Sequence, residues 1–394
     1  MKVLKSLILI VAAFGFLSCA RPVGDQLLGN VSDPSKELMS HDFRYIGKYK
    51  GYHYGAYNAG YLTTKERPGN LDIDLKISKW KTGHLDKVEF IPVALAGDGI
   101  SDSWRAPYDP TGYIAGNKMY LLYCPSIDSM ATYVGRTFDL DRQAFDNEAE
   151  VLTIDGRPMN LQNVLDIYNT KAKVHCSSVL DGGPVQFMGL GLNVEIVKGK
   201  NCYYCCASEV GADFTCLVLK TTDFYNWETV AIPDVSDKFP GFSFWESVVY
   251  PLGGDIFGYS ARFQNQQGCV YGQWNAATNE FTGIDFIPDA VIARPAFFTW
   301  KGDNYLCVNI NGASVIDYYG YVFRATCRFY RIDKEDYSLI PVKTKFVPEG
   351  IHYYTFYKER GKLYMIYSTD SRRLDCSEAR SNIAVERIFL PRCK

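Results

Sequence analysis

The chain has 394 residues, and its 42 Lys and Arg stand against 44 Asp and Glu. The net charge of −2 gives no bulk electrostatic reason to bind nucleic acid or an anionic surface. Aromatic residues make up 15% of the chain, beside 33 Gly and 17 Pro, which argues against disorder or a coiled coil and for a folded, turn-rich protein of many short strands.

The N-terminal segment is a targeting element. Lys2 and Lys5 precede an apolar run from Leu7 to Leu17 that is too short for a durable membrane span. Leu17-Ser18-Cys19 resembles a bacterial lipobox, which implies removal of residues 1–18, lipidation of Cys19 and anchoring of the exported protein to the outer membrane. Residues 19–40 are polar and read as a flexible tether, leaving 41–394 as one domain. No later apolar run is long enough to span a bilayer.

From there the chain repeats a unit of strand, short turn and strand. Six first strands, rich in Tyr and small apolar residues, are expected at Tyr52–Tyr57, Lys118–Cys124, Asn201–Cys206, Asp255–Ser260, Asn304–Asn309 and Lys362–Tyr367. Several follow a Gly-containing hairpin turn, as at Gly253-Gly254 and Arg360-Gly361. Partner strands are expected at Ile73–Ser78, Ala131–Gly135, Cys216–Lys220, Cys269–Gln273, Cys327–Arg331 and Asn382–Glu386, with outer strands such as Val88–Pro92 beyond them. Four strands per unit and six units predict an all-β, six-bladed β-propeller of antiparallel sheets, expected to act as a monomer. Met159–Thr170 reads as a short helix in the largest insertion, between the second and third blades.

Setting Cys19 aside, eleven cysteines remain, an odd number, so at least one stays unpaired. Cys202 and Cys205 have the spacing of half a zinc knuckle or of a redox dithiol. No second such pair accompanies them, and no metal or other cofactor is expected. Cys206 with Cys216, and Cys307 with Cys327, could face each other across hairpins, and Cys376 and Cys393 could tie down the C-terminal tail. Thr221–Trp227 has an Asp and a Trp at the spacing of a blade-closing turn, a structural role.

The segment Phe244–Arg262 resembles the exo-sialidase (neuraminidase) superfamily of BNR-repeat propellers. Glu246 opens a strand, a Gly-rich turn follows, and Arg262 ends the next strand sixteen positions on. Arg324, 62 positions later, resembles the family's third substrate arginine, and Tyr353 or Tyr354 its catalytic tyrosine. Nearer the N-terminus, Arg44 in Phe43–Gly47 resembles the first arginine, without the proline that usually follows. Asp72, with Asp74 behind it, resembles the acid/base aspartate.

The resemblance implies a glycan substrate with a terminal acidic sugar. Arg44, Arg262 and Arg324 would fix its carboxylate through charged, forked hydrogen bonds. A neutral Tyr hydroxyl deprotonated by Glu246 suits attack beside that carboxylate better than a second anion would. Asp72 would protonate the leaving sugar and then activate water. Arg294 and Arg105 are rival members of the arginine set. Two other readings stay open: a five-bladed glycosidase using Asp109, Glu209 and Glu246, and a non-catalytic glycan-binding propeller.

Overall fold

The computed structural model describes residues 39–61, 72–85, 87–94, 108–125, 132–167, 170, 190–191, 195–209, 216–233, 238–239, 244–263, 268–291, 293–311, 324–347, 350–372 and 379–391. Six blades of mainly antiparallel strands follow one another along the chain as a six-bladed propeller, blades 6 and 1 being joined in one hydrogen-bonded sheet. Blade 1 runs outward from the axis as Met39–Tyr49, Tyr52–Tyr61, Asp72–Lys81 and Val88–Ala94. Blade 4 (Phe244–Gly253, Ile256–Phe263, Cys269–Asn275, Glu280–Phe286) and blade 5 (Ala296–Trp300, Asp303–Asn309, Thr326–Ile332, Leu339–Phe346) repeat that order. Blade 2 has Tyr108–Ala115, Lys118–Cys124 and Val134–Asp139, with a split outer edge at Ala144–Phe145 and Glu150–Val151. Blade 3 splits its inner edge instead, into Leu190–Gly191 and Val197–Lys198, ahead of Tyr203–Glu209, Cys216–Thr221 and Asn226–Ala231. Blade 6 comprises His352–Glu359, Lys362–Arg372 and Ala379–Ile388, and a parallel contact of Ser381 with Met39 joins it to blade 1.

The six strands expected to open the units are the second strands of their blades. An innermost strand precedes each one, and neighbouring innermost strands touch: Met39–Tyr49 lies against Tyr108–Ala115 and His352–Glu359, and Ala296–Trp300 against Phe244–Gly253. Aromatic rings fill the seams between blades, with Tyr113 against Tyr203, Tyr204 against Phe257, Tyr250 stacked on Phe297, and Phe298 stacked on Phe356 at 4.0 Å. Such pairs add about 0.5–1.5 kcal/mol each beyond their buried area, which is the use this fold makes of an aromatic-rich composition.

The described helix in the insertion spans Leu161–Ile167. Asn160 caps it by accepting the Asn163 N–H at 2.9 Å, and Val164 and Ile167 are buried beneath blade 3. A hairpin just before it, Thr153–Ile154 with Arg157–Pro158, extends blade 3 outward by pairing parallel to Asn226–Trp227. The Thr221–Trp227 turn is built as its residue types require. Asp223 Oδ1 accepts the N–H groups of Tyr225 and Asn226, and the buried Trp227 donates Nε1–H to the Phe224 carbonyl.

The cysteines that could face each other across hairpins are buried on strands without a disulfide, and the side chains of Cys307 and Cys327 hydrogen-bond each other. Cys202, Cys206, Cys269, Cys307 and Cys327 are free thiols. Cys206 is in register with Val218 and Cys307 with Phe329, so each proposed partner is displaced diagonally by two residues along its strand. Cys19, Cys376 and Cys393 lie outside the described residues, as do the targeting segment and most of the tether. Among the described residues no helix is long and apolar enough to cross a membrane.

Candidate active site

Four innermost strands carry the same irregularity. Pairing with the second strand advances three residues on the inner strand for two on its partner between His41 and Arg44, Tyr108 and Thr111, Trp245 and Val248, and His352 and Thr355. Each is a β-bulge at the same end of its blade, and a bulge re-aims side chains that strict alternation would send elsewhere. The bulge residues are Asp42-Phe43, Asp109-Pro110, Glu246-Ser247 and Tyr353-Tyr354. Glu246 and Tyr353 both adopt left-handed backbone, with φ of 45° and 48°, a conformation that costs a non-Gly residue about 1–3 kcal/mol. The fold thus holds the two sequence candidates at equivalent, strained positions in blades 4 and 6.

In blade 4, Trp245 is in register with Arg262, and the bulge turns Glu246 toward the same arginine. Arg262 Nε lies 2.6 Å from Glu246 Oε2, both side chains being almost fully buried, and the guanidinium sits 4.2 Å from the centre of the Trp245 ring. Beneath them the Cys269 thiol is buried, donating toward the carbonyls of Val291 and Ala293, and burial pushes it up to about 12. Arg324, from blade 5, acts electrostatically on that thiol together with Arg262 and Glu246.

The structure separates the two tyrosines. Tyr354 is a core residue, 2% exposed, and burial raises its hydroxyl well above the ordinary range in contact with Cys307, so it is not available as a nucleophile. Tyr353 stays partly exposed. Arg294 lies with its guanidinium carbon 4.7 Å from the Tyr353 ring centre, Arg324 lies at 5.6 Å, and the His352 ring meets it edge-on at 5.1 Å.

Arg44 follows the blade 1 bulge at the position that Thr355 holds in blade 6. Glu195, from the inner edge of blade 3, meets both. Thr355 donates its hydroxyl to Glu195 Oε1 at 3.3 Å, and Arg44 acts on the same carboxyl. Burial is the larger influence and pushes Glu195 up to about 7. Arg44, Arg262 and Arg294 are 5%, 3% and 2% exposed, a degree of enclosure that guanidinium groups rarely reach outside a built site.

Asp72 opens the third strand of blade 1, but its side chain, like those of Asp109 and Glu209, lies outside what the structure describes, as does all of Arg105. The Asp74 side chain is about one-third exposed, 4.0 Å from Lys76. The six blades remove the five-bladed reading. Among the described residues no group of three or more His, Cys, Asp or Glu could hold a metal ion. Glu195 and Asn309 escaped the sequence reading. Each leaves a faint signal, a polar side chain within or ending an apolar run, at Leu192–Val197 and Tyr305–Asn309.

Solved structures of similar fold include the Trypanosoma rangeli sialidase in complex with sialic acid, 13% identical, covering 88% of this chain and 54% of that one with a TM-score of 0.57. The Hadza microbial sialidase Hz136 is 9% identical, covering 93% of this chain and 68% of its own, at 0.60. The intramolecular trans-sialidase from Ruminococcus gnavus, in complex with oseltamivir carboxylate, is 9% identical, covering 94% and 98%, at 0.57. At these identities the likeness defines the class as a sialidase-like six-bladed propeller fold. The chain spans about half the length of the T. rangeli protein. No protein-family model matches it. No curated protein matches it in sequence either.

Proposed function

We propose that this protein is an exo-glycosidase of the sialidase type, removing terminal acidic sugars from glycans. One observation carries the reading: Glu246 and Tyr353 occupy equivalent strained bulges, with Arg262 on the first and Arg294 and Arg324 against the second. Arg44, Arg262 and Arg324 would hold the sugar carboxylate, since always-charged forked donors match a planar anion. Tyr353 would attack the anomeric carbon while Glu246 takes its proton. Asp72 would protonate the departing glycosidic oxygen, then take a proton from the water that releases the sugar from Tyr353. A lipid anchor at Cys19 and an extracytoplasmic glycan substrate belong to the same proposal, supported by the lipobox-like Leu17–Cys19.

The experiment is hydrolysis of a fluorogenic sialoside by the purified protein. Wild type is expected to release the fluorophore. Tyr354→Phe should retain most activity, Tyr353→Phe should lose nearly all of it, and Asp72→Asn should fall about 10²–10⁴-fold with good leaving groups least affected. Binding of a sialic acid analogue without turnover would favour the glycan-binding reading, and failure to bind it at all would remove the sialidase assignment.

A further inference from the structure

We infer that Arg294 is a fourth arginine of this site, a positioning residue that clamps the Tyr353 ring and stabilises negative charge on its oxygen. The inference rests on Tyr353 being the nucleophile.

Arg294 precedes Pro295 and the inner strand of blade 5, and the backbone around it is tied down on both sides. The Val291 N–H donates to the Asn309 carbonyl at 3.0 Å, and Ala296 is in register with Cys307. Between these two contacts the chain advances five positions against two on the partner strand. Arg294 therefore projects from a bulged segment of blade 5, as Glu246 and Tyr353 do from blades 4 and 6.

The same Asn309 fixes the tyrosine. It is completely buried and donates Nδ2–H to the Ile351 carbonyl at 2.6 Å, two residues before Tyr353, and to the Thr326 carbonyl at 3.1 Å. The Ile351 N–H in turn donates to the Arg324 carbonyl at 2.7 Å. One buried amide and one peptide thus lock the segments bearing Arg294, Arg324 and Tyr353 into a fixed relation. A guanidinium over the ring face is attracted by the π-system while the phenol is neutral. It gains further when the oxygen becomes negative, which is a larger effect in an enclosed site than in water.

The charged and titratable groups facing Tyr353 include Arg294 and Arg324 from blade 5 and His352 from its own strand. Glu246 and Arg262 stand on blade 4, sharing the Cys269 neighbourhood with Arg324. Of these, Arg294 is the cation nearest the ring. Its charge favours the phenolate both when Glu246 takes the proton and when the phenolate departs from the glycosyl carbon as water adds there.

The test places a fluorotyrosine at position 353 of the full chain and follows its ionisation by fluorine NMR against pH, with Arg294 intact or replaced. Arg294→Met is expected to move the midpoint upward by about one pH unit or more, and Arg294→Lys to recover at least half of that. If Arg294→Met does not fold, Arg294→Gln serves the same comparison. On a fluorogenic sialoside, loss of the guanidinium should lower kcat about tenfold or more while KM changes less than about threefold. An unchanged midpoint overturns the inference, and so does a rise in KM alone, which would make Arg294 a substrate-binding arginine. A wild-type protein inactive on sialosides would sink the proposed function, while the midpoint would still decide whether Arg294 governs the phenol.

Discussion

Asn309 shows how much one uncharged residue can organise. Its amide supplies donors to two buried carbonyls, one opening a strand of blade 5 and one just before the inner strand of blade 6, and its backbone receives a third contact from Val291. Truncation leaves the Ile351 carbonyl short of its Asn309 donor in a water-poor place, where an unmet polar group costs about 1–3 kcal/mol, and removes a second bond at Thr326, whose carbonyl keeps the Ile310 N–H. Asn309→Ala is therefore expected to lose about 2–4 kcal/mol in urea denaturation, with the slope of the transition unchanged. The sequence marks Asn309 only as a polar residue closing an apolar strand. The two carbonyls it serves are 17 and 42 positions away, which no local pattern could disclose.

At the scale of elements, the bulges explain why the innermost strands do not stand out as the opening strands of the repeat. Met39–Tyr49 and Phe244–Gly253 carry charged residues where alternation would demand apolar ones, because the extra residue reverses the phase halfway along. The second strands keep alternation and read clearly. Gly55 on the second strand of blade 1 is matched to the blade 1 bulge. An added Cβ would overlap the Phe43 ring and come within 2.8 Å of the Arg44 carbonyl oxygen. Gly55→Ala should cost about 1–3 kcal/mol by overpacking and displace Arg44, seen as weaker binding of a sialic acid analogue in calorimetry. The clasp between blades 1 and 6 makes a second prediction. His53, fully buried and stacked on Trp80, contacts Glu359 at 3.3 Å and the Tyr45 hydroxyl at 3.0 Å, and burial pulls it down to about 4, with Lys48 assisting. Between the ordinary 6.5 and 4 the unfolded chain holds the proton and the folded one does not, so stability is full above about 6.5 and drains as pH falls toward 4. With Glu195 replaced by Gln, thermal unfolding against pH should show that acid limb, and adding His53→Asn should flatten it.

For the whole molecule, the ring must close on itself. The chain closes it through the Met39–Ser381 contact, the Tyr45–Tyr357 ring pair and the His53–Glu359 contact, all joining residues more than 300 positions apart. Glu195 links three blades at the axis, bonded by Thr355 of blade 6, influenced by Arg44 of blade 1 and carried by blade 3. Burial raises it from 4.5 to about 7, so the folded state keeps a proton that the unfolded state has released, and stability declines as pH rises through that interval. Its limb is opposite in sign to that of His53. Glu195→Gln should remove the decline between about 4.5 and 7 and so steepen the rise that His53 gives over nearly the same range in the pH dependence of thermal unfolding.

The sequence by itself determined the repeat of six Tyr-rich strand pairs, the hairpin turns, the Asp223–Trp227 closure and the presence of Glu246, Arg262 and Arg324 at blade-sized intervals. These are local properties, written in alternation, turn residues and spacing. Tertiary structure alone decided which tyrosine faces the arginines, that Arg294 lies closest to it, and that Glu195 meets Arg44. A bulge changes a side chain's direction without changing its neighbours in sequence, and radial packing brings together residues whose separation along the chain carries no trace of their distance in space.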